Sequence, residues 1–360
     1  MRNSPVKGRL LGGLMILCLF AGCRRQDAAA PSAADGPPPL ELQRVDGGAV
    51  VHATFEAMDT VYTVSVGVRG TWNDDVAKRL RAALAQAEEK IRHVEAIMSS
   101  HRASGDVARL NAGSREWVTL DRATMDVLVT AVRVGHGTGG AFDVTWTALR
   151  QLYRLKNPQW TPPTPEQVAQ ALKRVDFRAI ELDPRGLRAR FTKEGMAVDL
   201  GGVAKGYALD LAAEALTQAG FLDHLVNGGG DLRVGGARPD RKWKMGIRSP
   251  RKGGIYKSGT LKPPRFAMVT SGDYERFRVV DGVRYSHIVD PRTGSSARGA
   301  VSVTVIGPEG MLADALATGL FVLGPEAGKK ALANFPGYEA LWLDETENAS
   351  TTAGFFSAWD

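Results

Sequence analysis

Cysteine is nearly absent. The 360 residues hold two, Cys18 and Cys23, and both stand near the N-terminus. Beyond them there is no thiol for a disulfide, so the folded part must rest on its core alone. Long apolar runs are also missing: Leu10 to Phe20 is too short for a comfortable membrane span. The formal net charge of +7 is modest, and several of the basic residues sit in the leader and in one loop. No recognition helix or zinc spacing accompanies them, so nucleic acid is not an expected partner. His52, His93, His101, His136, His224 and His287 are scattered, and none forms a His-Glu-x-x-His spacing. The Gly-x-x-x-x-Gly-Lys-Ser/Thr phosphate loop is absent too.

What is present divides the chain into three parts. Residues 1–23 read as a signal peptide, with Arg2, Lys7 and Arg9 before the apolar run. The run ends Leu-Phe-Ala-Gly-Cys, which resembles a bacterial lipobox, with Phe20 where that pattern prefers Leu. The resemblance implies lipidation at Cys23, hence an exported protein held on a bacterial membrane and facing the periplasm. Residues 24–48 are rich in Ala, Pro, Asp and Gly and read as a disordered tether. Residues 49–360 are the folded domain. Its strands and helices alternate irregularly, which predicts an α+β class with mixed β-sheets flanked by helices.

Within the domain, Tyr62, Val64, Val66 and Val68 alternate as a half-buried strand. Leu80, Leu84, Ala87, Ile91, Val94 and Met98 share one face of a long helix starting at Asn73-Asp74, and His93 falls on its charged face. Helices are expected at Leu120–Val134 with Asp121 as N-cap, at Thr164–Arg174 with Thr164 as N-cap, and at Met311–Leu323. Strands are expected at Met196–Leu200, on both sides of Gly228-Gly229-Gly230, at Trp243–Ile247, Phe266–Thr270, Val301–Val305 and Glu339–Leu343. Pro250 to Pro264 reads as a basic surface loop.

The stretch from Val198 to Asp210 concentrates candidate chemistry. A short strand, Gly201-Gly202 and a helix would present unpaired N–H groups to an anion, with Lys205 adding charge and Asp199 a carboxylate. This suggests a phosphate with a divalent cation, although on these residues alone an ordinary tight turn is the simpler reading. Asp143 and Thr145 offer oxygens beside Gly139-Gly140. His287, taken alone, is a structural histidine; taken with the glycine turn it is a candidate general base. Asp314 and Thr318, one helical turn apart, form a sparse oxygen pair of the kind Mg²⁺ accepts. For the isolated pair, back-bonding of the Thr318 hydroxyl to the Asp314 carbonyl, with Asp314 simply near a helix start, is the simpler reading.

Together these segments resemble a family. Asp-Leu-Gly-Gly-Val-Ala-Lys-Gly-Tyr at 199–207, Ser-Gly-Asp-Tyr at 271–274, His-Ile-Val-Asp-Pro-Arg-Thr-Gly at 287–294 and Ala-Asp-Ala-Leu-Ala-Thr at 313–318 are similar to motifs of the FAD:protein FMN transferases, the ApbE family. Met58-x-Thr60, the Ser104–Asn111 loop and Ala141–Thr145 follow the same order. The resemblance implies an enzyme that transfers FMN from FAD to a threonine of an acceptor protein through a phosphoester, releasing AMP, with Mg²⁺. It implies Asp314, Thr318 and the backbone of Gly202 and Ala317 as metal ligands, and His287 as the base. Met58, His101, Ala141, Phe142, Asp143, Asp199, Lys205 and Ile288 would contact FAD. Two positions depart from the family: Asp59 replaces the usual Gly, and His101 replaces a common aromatic. The chain has no Asp-x-Ser/Thr-Gly-Ala/Ser-Thr acceptor sequence of its own. Two other functions would use the same site: hydrolysis of FAD to FMN and AMP, or flavin binding without catalysis.

Overall fold

The computed structural model describes residues 39–113, 115–261 and 265–359. The leader, Cys23 and the first part of the expected tether lie outside the described residues. The chain begins with β1 (Glu41–Val45), β2 (Gly48–Ala57) and β3 (Thr60–Arg69), paired antiparallel in succession. The strand at Glu41–Val45 corrects the expectation of a tether reaching Gly48. Leu42 and Val45 are too few to signal a strand, and main-chain pairing with β2 supplies what burial does not.

Next comes α1 (Asp74–Met98), capped by the Asn73 side chain, which accepts from the Val76 N–H. All six residues of its expected apolar face are buried. The polar loop after it holds α2 (Asp106–Ala112), followed by β4 (Val118–Thr119) and α3 (Arg122–Gly137), whose N-cap is Asp121. Then follow α4 (Thr147–Arg150) and α5 (Pro165–Leu172), the latter opened by a Thr164–Gln167 capping box. β5 (Ile180–Asp183) and β6 (Arg188–Phe191) join β4 in a small sheet.

Met196 to Leu200 forms no strand. Its backbone is satisfied by a side chain and a loop instead of a ladder. Asn111 donates to the Val198 carbonyl and accepts from the Val198 N–H, and the Asp199 N–H donates to the Val144 carbonyl. Alternating burial in a sequence does not distinguish these two solutions.

The second half contains α6 (Ala204–Gln218), β7 (His224–Gly228), β8 (Asp231–Gly235), the hairpin of β9 (Met245–Arg248) and β10 (Ile255–Gly259), and β11 (Arg265–Gly272). The basic 250–264 stretch is therefore partly strand. A second hairpin, β12 (Phe277–Val280) and β13 (Val283–Ser286), precedes β14 (Ser302–Gly307), α7 (Gly310–Leu332), β15 (Glu339–Leu343) and β16 (Ala349–Thr351). The large sheet runs β1-β2-β3-β7-β8-β11-β14-β15-β16. The class is α+β, and every pairing among the described strands is antiparallel.

One face of this sheet packs on α1, α6 and α7; Val64, Val226, Val269 and Val303 belong to that core. The other face is covered by Trp243, Ile247, Phe355 and Trp359. α7 is buried on every side from Leu312 to Ala317, and Asp314 is the single charge in that run. Small residues let α6 reach it: a Cβ on Gly206 would collide with the Gly310 carbonyl oxygen. The helix–helix contact is reciprocal. The Gly206 N–H donates to Asp314 Oδ2 at 2.8 Å, while Asp210 of α6 accepts from the Gly310 and Met311 N–H groups, each at 2.8 Å. α7 has no cap of its own, so Asp210 serves as one. Gly206→Ala should therefore destabilise the protein by about 1–3 kcal/mol through overpacking. Chemical denaturation of the variant measures this; an unchanged unfolding midpoint would show that the helices can separate freely.

Candidate functional site

Two tight turns meet at one end of the large sheet. In the first, Met58 and Asp59 both take left-handed backbone angles, φ 52° and 58°, closing the Ala57–Thr60 pair. Asp tolerates this conformation at little cost; a left-handed Met stores strain of roughly 1–3 kcal/mol. Tyr62 holds the strained residue, its hydroxyl donating to Met58 Sδ at 3.2 Å. The second turn is Gly229-Gly230 between β7 and β8. Its glycines answer to close approach: a Cβ on Gly228 would strike the Tyr62 ring, and the Gly229 N–H donates to the Val61 carbonyl.

Asp231 leaves that turn buried, accepts from the Thr270 N–H at 2.9 Å and pairs with Lys205. Lys205 also lies within electrostatic reach of Asp314 and His287. Burial raises the Asp314 pKa, against the lowering effects of Lys205 and the Gly206 N–H. Among the described residues nothing donates to Asp314 Oδ1. One turn on, the Thr318 hydroxyl lies 3.3 Å from the Ser271 hydroxyl. A Cβ on Gly202 would sit 3.5 Å from Thr318 Oγ1 and 3.3 Å from the Phe142 ring. Gly202, Phe142, Thr318, Lys205 and Asp314 thus come together as expected.

This donor set is all oxygen: one carboxylate with an oxygen unclaimed by protein, two hydroxyls and main chain. Among the described residues no group of three His, Cys, Asp or Glu side chains could hold a metal. The set suits a hard cation that keeps waters, as Mg²⁺ does, and does not suit zinc. Ala317 sits fully buried in mid-helix.

Other expected contacts are occupied by the protein. Asp199 has both oxygens engaged: Oδ1 accepts from the Gly201 N–H at 2.9 Å, and Oδ2 accepts from the Ser100 hydroxyl at 2.9 Å and from Arg150. It ties the glycine turn to the 99–101 loop. His101 is exposed, with Nε2 2.7 Å from Arg150 Nη2, so a polar pair stands where an aromatic would stack. Asp143 is buried and accepts from the Thr145 N–H and hydroxyl and from the Phe177 N–H. It builds the loop that carries Ala141 and Phe142, both buried.

His287 is the best-prepared base. Its N–H and its Nδ1 both bond the Arg276 carbonyl, at 3.0 and 3.2 Å, which fixes the proton on Nδ1 and leaves Nε2 as the acceptor. Burial, assisted by Arg276, lowers its pKa to about 4, so the ring is neutral near pH 7. Ile288 beside it is buried in the core.

The ApbE family model matches residues 58–342. The chain belongs to the ApbE family. It is 34% identical over 296 residues to an FAD:protein FMN transferase of Treponema pallidum (strain Nichols), covering 77% of this chain and 81% of that protein. It is 32% identical over 286 residues to an FAD:protein FMN transferase of Vibrio cholerae serotype O1, covering 77% of this chain and 83% of that one. Among solved structures, the ApbE protein of Thermotoga maritima has a TM-score of 0.75 at 31% identity, covering 86% of this chain and 99% of that chain. The flavin transferase ApbE from Vibrio cholerae has a TM-score of 0.74 at 27% identity, covering 89% and 100%.

In this ApbE-family chain Arg150, Asp231 and Tyr62 also build the site, beyond the residues expected from the sequence. Asp231 carried a signal, a carboxylate directly after three glycines. Arg150 carried none, being one arginine at the end of a four-residue helix.

Proposed function

We propose that the protein transfers FMN from FAD to a threonine hydroxyl of an acceptor protein, with Mg²⁺, releasing AMP. Membership of the ApbE family and relatives named FAD:protein FMN transferase support the reaction. The observation that carries the metal is Asp314: a buried carboxylate, one oxygen held by the Gly206 N–H and the other without a protein donor, beside the Thr318 and Ser271 hydroxyls. Bound Mg²⁺ would neutralise charge on the pyrophosphate oxygens and orient the phosphorus for attack. Gly202 brings main chain close to that point, and Lys205 supplies fixed positive charge held in place by Asp231. His287 takes the hydroxyl proton on Nε2 as the new O–P bond forms and the bond to the AMP oxygen breaks. Because Asp199 is fully engaged by Gly201, Ser100 and Arg150, its contribution is to hold the turn.

The direct test incubates the protein with FAD, Mg²⁺ and an acceptor bearing the Asp-x-Ser/Thr-Gly-Ala/Ser-Thr sequence, and measures acceptor mass and free AMP. An FMN-sized mass gain with matching AMP is expected, and Asp314→Ala should lower the rate by at least roughly 100-fold. AMP alone means hydrolysis; FAD binding with neither product means a binder; full activity of the variant removes Asp314 from the metal site.

The depressed pKa of His287 makes a separate prediction. A base with a pKa of about 4 stays unprotonated well below neutrality. kcat/KM should be nearly flat from pH 7 to 5.5, where an ordinary histidine would have lost about 90% of its neutral form. A decline centred near 6.5, or wild-type rates in His287→Ala, would rule it out.

The N-terminal pattern extends the proposal to an exported enzyme, lipidated at Cys23 and anchored on the periplasmic side of a membrane. A Cys23→Ser chain should move from the membrane fraction to the soluble fraction; unchanged partitioning counts against the anchor.

A further inference from the structure

The hairpin of β12 and β13 stands apart from both the large sheet and the small three-stranded one. Its Asp281-Gly282 turn, with φ 49° and 75°, closes the Val280–Val283 pair, and Arg278 opposes Tyr285. By the alternation of antiparallel ladders these two pairs exchange the main-chain bonds. Phe277 and Val279 then direct their N–H and C=O groups away from β13. Among the described residues β12 pairs with β13 alone, so this edge is open.

The hairpin is nevertheless firmly seated. Its inner face rests on a separate apolar cluster: Tyr285 meets Trp160 edge-on with ring centres 5.4 Å apart, and Val280 packs beside it. The outer face is apolar and exposed, Phe277 by 43% and Val279 by 54%. The Arg284 guanidinium lies 3.7 Å over the Phe277 ring and holds it. An open edge with exposed apolar side chains is a liability that proteins ordinarily cover or charge. Here it borders the reactive group, because Arg276, the residue preceding β12, supplies the carbonyl that fixes His287. Arg276 is itself exposed and has no ion-pair partner among the described residues.

We propose that the open edge and outer face of this hairpin dock the acceptor protein. The occupant is an extended segment that adds a strand to β12, covers Phe277 and Val279 with an apolar side chain and sets a carboxylate against Arg276. A strand added there lies about 4.8 Å from β12. Main-chain pairing would hold the segment in register with the residue that positions the base, and the carboxylate answers the unpaired guanidinium. This rests on the reading above that the second substrate is a protein.

The test uses the full chain with FAD, Mg²⁺ and the acceptor protein named above, comparing wild type with Val279→Lys and Val279→Pro. The first places a charge on the outer face. The second removes an outward N–H without touching a hairpin bond. Both variants should raise the acceptor KM roughly tenfold or more. FAD affinity, measured by flavin fluorescence, should stay within about twofold. An unchanged acceptor KM in both variants overturns the proposal, as does a loss of FAD binding that accounts for the lost transfer. A change of oligomeric state on gel filtration assigns the face to a second copy instead and also overturns it. If the wild type binds FAD yet modifies no acceptor, the functional reading fails first, and that outcome is distinct from the others.

Discussion

Everything at the site depends on how α6 and α7 grip each other. Each helix provides a carboxylate for the other's first turn: Asp314 receives the Gly206 N–H, and Asp210 receives those of Gly310 and Met311. Hydrogen bonds to charged groups contribute on the order of 1.5–3 kcal/mol each. Without its bond the buried Asp314 carboxylate would be costly in this core, and the half-buried Asp210 would keep only its pairing with Arg233. The exchange fixes both the spacing of the helices and the direction of the Asp314 side chain.

The sheet completes the arrangement through β8. Asp231 and Arg233 are two residues apart and point to the helix side, where they meet Lys205 and Asp210 of α6. Two residues of strand advance about 6.6 Å and five residues of helix about 7.5 Å, so the two charge pairs align with little adjustment. One strand thereby sets both the lysine that faces the proposed pyrophosphate and the aspartate that caps α7. Partly buried ion pairs of this kind fix geometry.

The parts of the fold that could be read from the sequence were those governed by periodicity. The α1 face from Leu80 to Met98 and the strand Glu339–Leu343 follow from burial on a regular lattice. So did the placement of Asp314 and Thr318 one turn apart. What escaped depended on pairing between distant segments. Met196–Leu200 has the composition of a strand, yet the Asn111 amide replaces its ladder. Glu41–Val45 has little apolar content, yet β2 recruits it. Lys205 and Asp199 both looked ready for ligand, but Asp231 and Arg150, far away in the chain, take up part or all of their capacity.

The order of strands has a consequence for how the protein is made. β3 lies directly against β7, and the whole run from α1 to α6 is inserted between them. Closing that pair is a long-range event, and such contacts form slowly because the intervening chain must first be ordered. The Met58 turn comes from the first strands of the sheet, whereas Asp231, Ser271 and Asp314 come from β8, β11 and α7, beyond the insertion. The complete arrangement therefore requires segments from both sides of that insertion. The reactive arrangement comes into existence together with the finished sheet.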